Sequence, residues 1–313
     1  MRRWHVVAFC LIVLPQAAGA QGAATEQVTV TGTRSHGVIE NFVRSATAPT
    51  HFAGKVARWE TPICPYAVGI KPEAAAFVIG RIKQVAADAG VKVSTDQGCR
   101  YNVEVIFTRT PQALLDNVRK DNTDILGYAV SSDEKDRLAK ITAPIQSWYA
   151  TATRDRNGVT EADSPHTTQG GGVTVILPCS MLQPPPAPPG ICTLQNPYAR
   201  KVNTEGSLLG DSTRGLFDNV LIVADPGKLD NFELGAVSDY IAMLALAQIP
   251  APATCQPLPS ILNFLSPGCE ARIAGLTATD RAYLRGLYRM QAGLSLALQR
   301  ETIADEMSKA ADD

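Results

Sequence analysis

Apolar and polar positions along this chain fall into short blocks of period two and longer blocks of period three to four. Asn219 to Ala224 carries the unbroken run Val220, Leu221, Ile222 and Val223, closed by Asp225, Pro226 and Gly227. That pattern predicts a strand buried on both faces, then a turn. Asp230 with Glu233 three residues on reads as a capping box, so a helix is expected from near Asn231 to just before Pro250. Leu234, Val237, Ile241, Leu244 and Ala247 recur at helical spacing and are expected on one inward face. Upstream, Pro72 and Glu73 open a helix that Gly90 ends, with Val78, Ile82, Val85 and Ala89 on one side. Val103, Val105 and Phe107 alternate over the strand Asn102–Phe107. Short helices are expected over Pro111–Arg119 and Asp133–Leu138. A strand is expected over Ile145–Thr153, leading to the Asn157–Gly158 turn and placing Trp148 and Tyr149 on opposite faces. Further strands read over Gln27–Arg34 (QVTVTGTR) and Val173–Leu177, and Thr277 with Asp280 caps another helix. A last helix spans Leu294–Ser308, with 310–313 as a frayed tail. His36 to Gly54 shows little periodicity and reads as a linker. The expectation is an α+β fold, a mixed sheet with packed helices, in one domain over 59–309 after an arm at 21–58.

Composition adds a compartment. Arg2 and Arg3, the apolar run Val6–Leu14 and the small residues Ala18, Gly19 and Ala20 make a secretory signal, cleaved before Gln21. Cys10 lies inside the apolar run and does not suit a lipoprotein anchor, and no later apolar stretch reaches the ~18 residues of a membrane span. Of 29 basic residues, 27 remain without Arg2 and Arg3, against 30 acidic ones, a formal charge of −3 for the mature chain. No basic run offers a phosphate-tracking surface, so nucleic acid is not an expected partner. Six cysteines remain: Cys64, Cys99, Cys179, Cys192, Cys255 and Cys269. An even number in an exported chain argues for disulfides. Sequential pairs, 64 with 99, 179 with 192 and 255 with 269, each bracket one local element. Gln183–Gly190 (QPPPAPPG) would then form a stiff polyproline loop closed by the second bridge. Gly170–Gly172 lacks the Lys-Ser/Thr of a phosphate loop and reads as a connector.

The candidate chemistry sits on the Asp230–Pro250 helix. Laid over the zincin signature H-E-x-x-H-x-x-G-x-x-H, Ser238, Ala242 and Gln248 occupy the three metal-ligand slots and Asp239 the general-base slot. Pro259, Ser260, Ile261 and Leu262 are similar to the metzincin turn that sets a Met beneath the metal, with Leu262 in the Met position. Leu276, Thr277, Asp280, Leu284, Leu287 and Tyr288 are similar to the L-T-x-x-D and L-x-x-L-Y pieces of the helix closing those domains. The chain therefore resembles a catalytically degenerate zincin or metzincin-like domain. From about Trp59 onward it also resembles a family of exported Gram-negative bacterial proteins to which no activity attaches. QVTVTGTR is similar to a segment near the plug of TonB-dependent receptors, with no barrel pattern following it.

With no nitrogen ligand in the three slots, the resemblance implies no metal and no cofactor. It implies an exported, non-catalytic pseudoenzyme, periplasmic or secreted, that binds a peptide or protein. Two alternatives stand beside this. One is an envelope adaptor or structural protein using the polyproline loop and the QVTVTGTR strand. The other is a hydrolase using Ser238 and Asp239, for which the mature histidines His36, His51 and His166 all lie in loop-like stretches.

Overall fold

The structure is a computed structural model that describes residues 32–164, 173–178, 191–196, 204, 210–250, 254–266, 268–269 and 273–312. The signal segment, Gln27–Thr31, Gly170–Gly172, the QPPPAPPG loop and the 179–192 bridge lie outside the described residues. From Gly32 on, the elements in chain order are α1 (Gly32–Ala46), β1 (Ala57–Arg58), β2 (Pro65–Val68), α2 (Pro72–Ala89) and β3 (Val103–Phe107). Then come α3 (Pro111–Asp121), α4 (Ser132–Leu138), β4 (Ile145–Arg154), β5 (Thr160–Ala162), β6 (Val173–Pro178), β7 (Ile191–Asn196) and β8 (Arg214–Ala224). α5 (Leu234–Leu246), α6 (Ala278–Arg289) and α7 (Leu296–Asp312) complete the chain. The fold is α+β, and its main sheet is mixed. Its strand order is β2-β3-β8-β4-β5, with β2, β3 and β8 parallel, β4 and β5 antiparallel, and β1 beside the start of β8. β6 and β7 form an antiparallel hairpin of their own.

The alternation read in the strands sets which face each residue packs against. Val220, Ile222 and Ala224 of β8 join the main core, while Leu221 and Val223 face a smaller cluster with Leu115 and Trp148. A strand covered on both faces carries a continuous apolar run, and this is why β8 shows no polar alternation. Trp148 and Tyr149 point to opposite faces, Trp148 into the smaller cluster and Tyr149 against the main core. α2 has Pro72 in its first turn and Gly90 in a left-handed cap at φ 87°. Gly69, at φ 90°, ends β2 where any Cβ would sit 1.9 Å from the Phe107 carbonyl oxygen. Cys64–Cys99 and Cys255–Cys269 are bonded.

Four expectations change. The linker at 21–58 is instead α1 and β1 from Gly32 on. Ile39, Phe42, Val43 and Ala46 are buried at 5%, 0%, 1% and 1% exposure, a helical stripe set among polar neighbours where His36–Gly54 was expected to be a linker. Gly32, Thr33 and Arg34 are helical, not the end of a strand. α5 starts at Leu234, not near Asn231, with Glu233 as an N-cap that makes no side-chain bond. The chain first turns so that Phe232 can pack edge-on against Phe264, ring centroids 4.8 Å apart. α7 runs to Asp312 rather than fraying at 310, because Ala310 still packs against the main core.

α5 also departs from the one-sided face expected of it. Every residue from Ala236 to Leu246 is buried, so the helix is enclosed all round. Its last carbonyls therefore cannot reach water and need donors from the protein. Trp59 Nε1 donates to the Ala245 carbonyl at 2.8 Å and the Tyr288 hydroxyl to that of Leu246 at 2.7 Å. The Tyr149 hydroxyl lies 3.0 Å from the Leu244 carbonyl and 2.9 Å from that of Ala247, sharing its one proton between them. Tyr288→Phe removes one of these donors without changing the ring. It should cost about 1–3 kcal/mol, seen as a lower midpoint in denaturant with an unchanged slope.

Candidate functional site

Three of the residues laid over the zincin signature are committed to the fold. Ser238 is fully buried and its Oγ donates to the Leu234 carbonyl at 2.6 Å, so the hydroxyl closes a helical turn. Ala242 is fully buried in the core. Asp239 is gripped by Arg81 of α2, Nε to Oδ1 and Nη2 to Oδ2 at 3.0 Å, and Oδ2 also accepts the Leu276 N–H at 2.8 Å. Its side chain is 5% exposed, and the bond to the carboxylate raises the Arg81 pKa above the ordinary guanidinium value. A carboxylate held on both oxygens by a guanidinium fork makes a poor general base. Among the described residues no group of three or more His, Cys, Asp or Glu side chains could hold a metal ion.

The histidines lie elsewhere. His36 sits in α1 with Nδ1 3.5 Å from Glu40, and His51 stacks on Tyr128 at 3.9 Å. His166 lies outside the described residues. Ser238 therefore has no imidazole partner among the described residues.

The two downstream pieces that resembled metzincin segments are joined to each other. Asp280 is fully buried and accepts from Ser260 Oγ at 2.5 Å and from Ile261 N, Thr277 N and Thr277 Oγ1 at 2.8 Å each. One carboxylate thus caps α6 and locks the Ser260–Asn263 turn, from which Leu262 packs into the core that contains α5. Burial raises the Asp280 pKa above the usual aspartate value, with those four donors pulling the other way.

The fourth position leads to open space. Gln248 lines a cleft of about 590 Å³ that runs along β4. Ser147, Trp148 and Tyr149 form one wall and Tyr240 and Leu244 of α5 another, with Leu265 at one side. Arg137 is the one charged residue in this lining among the described residues. Burial pushes the Tyr240 hydroxyl up to about 12 and the Tyr149 hydroxyl well above the ordinary phenol value, so both stay protonated donors. The Gln248 Oε1 atom is buried without a hydrogen-bond partner among the described residues.

The backbone of β4 completes the cleft. β8 pairs with the whole strand on one side, but β5 pairs only with Ala152–Arg154 on the other. Between Ile145 and Ala150 no backbone partner lies on that second side among the described residues. The sequence reading missed this edge, since strand order and pairing cannot be read from one strand's own pattern. The adjacent aromatics Trp148 and Tyr149 were its one visible sign.

Asp239→Ala leaves Arg81 without its partner, and with that guanidinium 22% exposed the loss should be about 2–3 kcal/mol in denaturant melts. Thermal melts of the wild type in zinc and in chelator should superimpose. Comparison of the chain with protein-family models, with curated proteins and with solved structures finds no match.

Proposed function

We propose that this chain is an exported, non-catalytic domain of zincin-like architecture that binds an extended peptide segment of a protein partner in the cleft between β4 and α5. The observation that carries the reading is the edge of β4. Among the described residues the outward-facing backbone groups of Ile145, Ser147 and Tyr149 have no backbone partner, and they border a largely apolar cavity, with Gly127 set close to the Tyr149 carbonyl oxygen at its far end. Such an edge pairs with an added strand through backbone bonds, while pockets beside it select alternate side chains. Trp148, Tyr149, Tyr240 and Leu244 supply apolar walls, and Gln248 Oε1 offers an unused acceptor.

Support for the zincin-like part comes from three arrangements. The helix with the degenerate signature follows β8 directly, the Ser260–Asn263 turn packs with it, and Asp280 bonds that turn to the closing helix. Two disulfides suit an oxidising compartment, and no helix among the described residues is long and apolar enough to cross a membrane. With the signal pattern at residues 1–20, this favours the periplasm or the cell exterior. Hydrolysis is disfavoured because Ser238 and Asp239 are both engaged by the fold.

Panning the purified chain against a random peptide library should enrich sequences with apolar side chains at alternate positions. Leu265→Glu, a change on a partly buried cleft wall that also packs against the main core, should weaken a selected peptide at least about tenfold at a temperature where the variant's own melt shows it folded, and Ser238→Ala should bind as the wild type does. Mass spectrometry should find the peptides intact after prolonged incubation. Cleavage that disappears in Asp239→Ala, or binding indifferent to Leu265→Glu, would overturn the reading.

A further inference from the structure

The far end of the sheet gathers positive charge. Arg154 of β4 and Arg214 of β8 are direct cross-strand partners, and Arg58 of β1 pairs with Leu216 two residues along. All three guanidiniums turn to one carboxylate. Arg154 Nη1 lies 2.6 Å from Glu60 Oε2, and Arg58 Nη2 and Arg214 Nη1 each lie 3.5 Å from Oε1. None of the three makes another ion pair among the described residues, so two positive charges are in surplus. Like charges placed opposite each other across strands destabilise a sheet, and this chain has a formal net charge of only −1. The cluster is therefore a local concentration and not part of a generally basic surface.

The donors are only partly used. Arg154 gives Nε to Thr160 Oγ1 at 2.8 Å and Nη1 to Glu60, leaving Nη2. Arg214, 47% exposed, makes one long contact and leaves Nε and Nη2. Arg58 gives Nη1 to the Met290 carbonyl at 2.7 Å, and its Nε is buried with no partner. Glu60, 15% exposed, shows that an oxyanion fits among the three forks.

We propose that Arg58, Arg154 and Arg214 form a binding site for a phosphomonoester dianion. Its two charges match the surplus, and its oxygens suit the planar, bidentate donors of Arg154 and Arg214. Arg154 lies four residues along β4 from Ala150, where the peptide edge ends, roughly 13 Å at strand rise, and no residue of the arginine cluster lines the cleft, so neither reading depends on the other.

Calorimetric titration of the full mature chain with inorganic phosphate tests it. The expected result is a single site whose affinity falls as salt rises. Arg214→Ala and Arg154→Ala should each weaken it at least about tenfold, Arg214→Lys should weaken it less, and Glu60→Gln should tighten it by removing the internal competitor. Arg214→Ala removes only a long, exposed contact, and an unchanged melt would show that it folds. Co-sedimentation with vesicles of phosphatidylcholine carrying phosphatidic acid, whose headgroup is a phosphomonoester, separates a lipid source from a soluble one. Binding there, lost in Arg214→Ala, places the group on a membrane surface, whereas phosphate binding without vesicle binding assigns a soluble ligand. No binding of either probe, or binding that both alanine variants retain, would overturn the proposal.

Discussion

The carbonyls at the C-terminal end of α5 set the terms for much of this molecule. A helix buried on every side from Ala236 to Leu246 gains apolar contact all round but presents its last acceptors to the interior. An unsatisfied buried carbonyl costs about 1–3 kcal/mol, so three or four left bare would consume much of a domain's net stability. Trp59, Tyr149 and Tyr288 prevent this, and they come from three separated parts of the chain. Trp59 precedes β2, Tyr149 lies on β4 and Tyr288 ends α6. Capping one helix therefore fixes where the entry segment, the antiparallel strand and the closing helix can lie. The Tyr149 ring then serves twice, as a cap and as a cleft wall.

The sequence made local elements legible where propensity and packing agree. α2 has its proline, its left-handed glycine and its apolar stripe in the expected order, and Thr277 with Asp280 caps α6. Elements failed to show where tertiary contacts override local signals. Asp230 and Glu233 spell a capping box, but packing Phe232 against Phe264 outweighs one cap, so the helix begins later. α1 is a different case, because Ile39, Phe42, Val43 and Ala46 were readable at helical spacing and were lost among polar neighbours.

The candidate chemistry was legible in identity but not in role. The sequence places Asp239 in a general-base slot, and only the fold reveals Arg81 opposite it, since the two are 158 residues apart. A carboxylate at this depth without a cation is costly, and a guanidinium fork from α2 neutralises it while tying α2 to α5. Ser238 and Ala242 likewise fill their volumes without a polar atom left over. With Asp239 paired to Arg81 and the Ser238 hydroxyl closing a helical turn, these positions of α5 leave no polar side-chain atom bare. Gln248 stands apart, since its acceptor is buried and unclosed at the cleft wall.

A sheet edge left open is normally a liability. Exposed edges are normally blunted by bulges, prolines or charges because they invite other strands. Here such devices bound the edge, and Gly127, whose added Cβ would sit 2.9 Å from the Tyr149 carbonyl oxygen, closes its far end. Pro144 precedes it, the register shifts between Ala150 and Thr151, and Asp163 N–H closes on the Thr151 carbonyl at 2.7 Å where β5 takes over. Between those stops the approach is held in shape. Gln146 accepts from Thr142 N at 2.8 Å and donates to the Lys140 carbonyl at 3.0 Å, and Trp148 Nε1 donates to that of Leu138 at 2.6 Å. A preformed edge of this length avoids the ordering cost that a mobile one would impose on a ligand. Rigidity spent on an opening, rather than on sealing it, is the strongest reason to read the cleft as used.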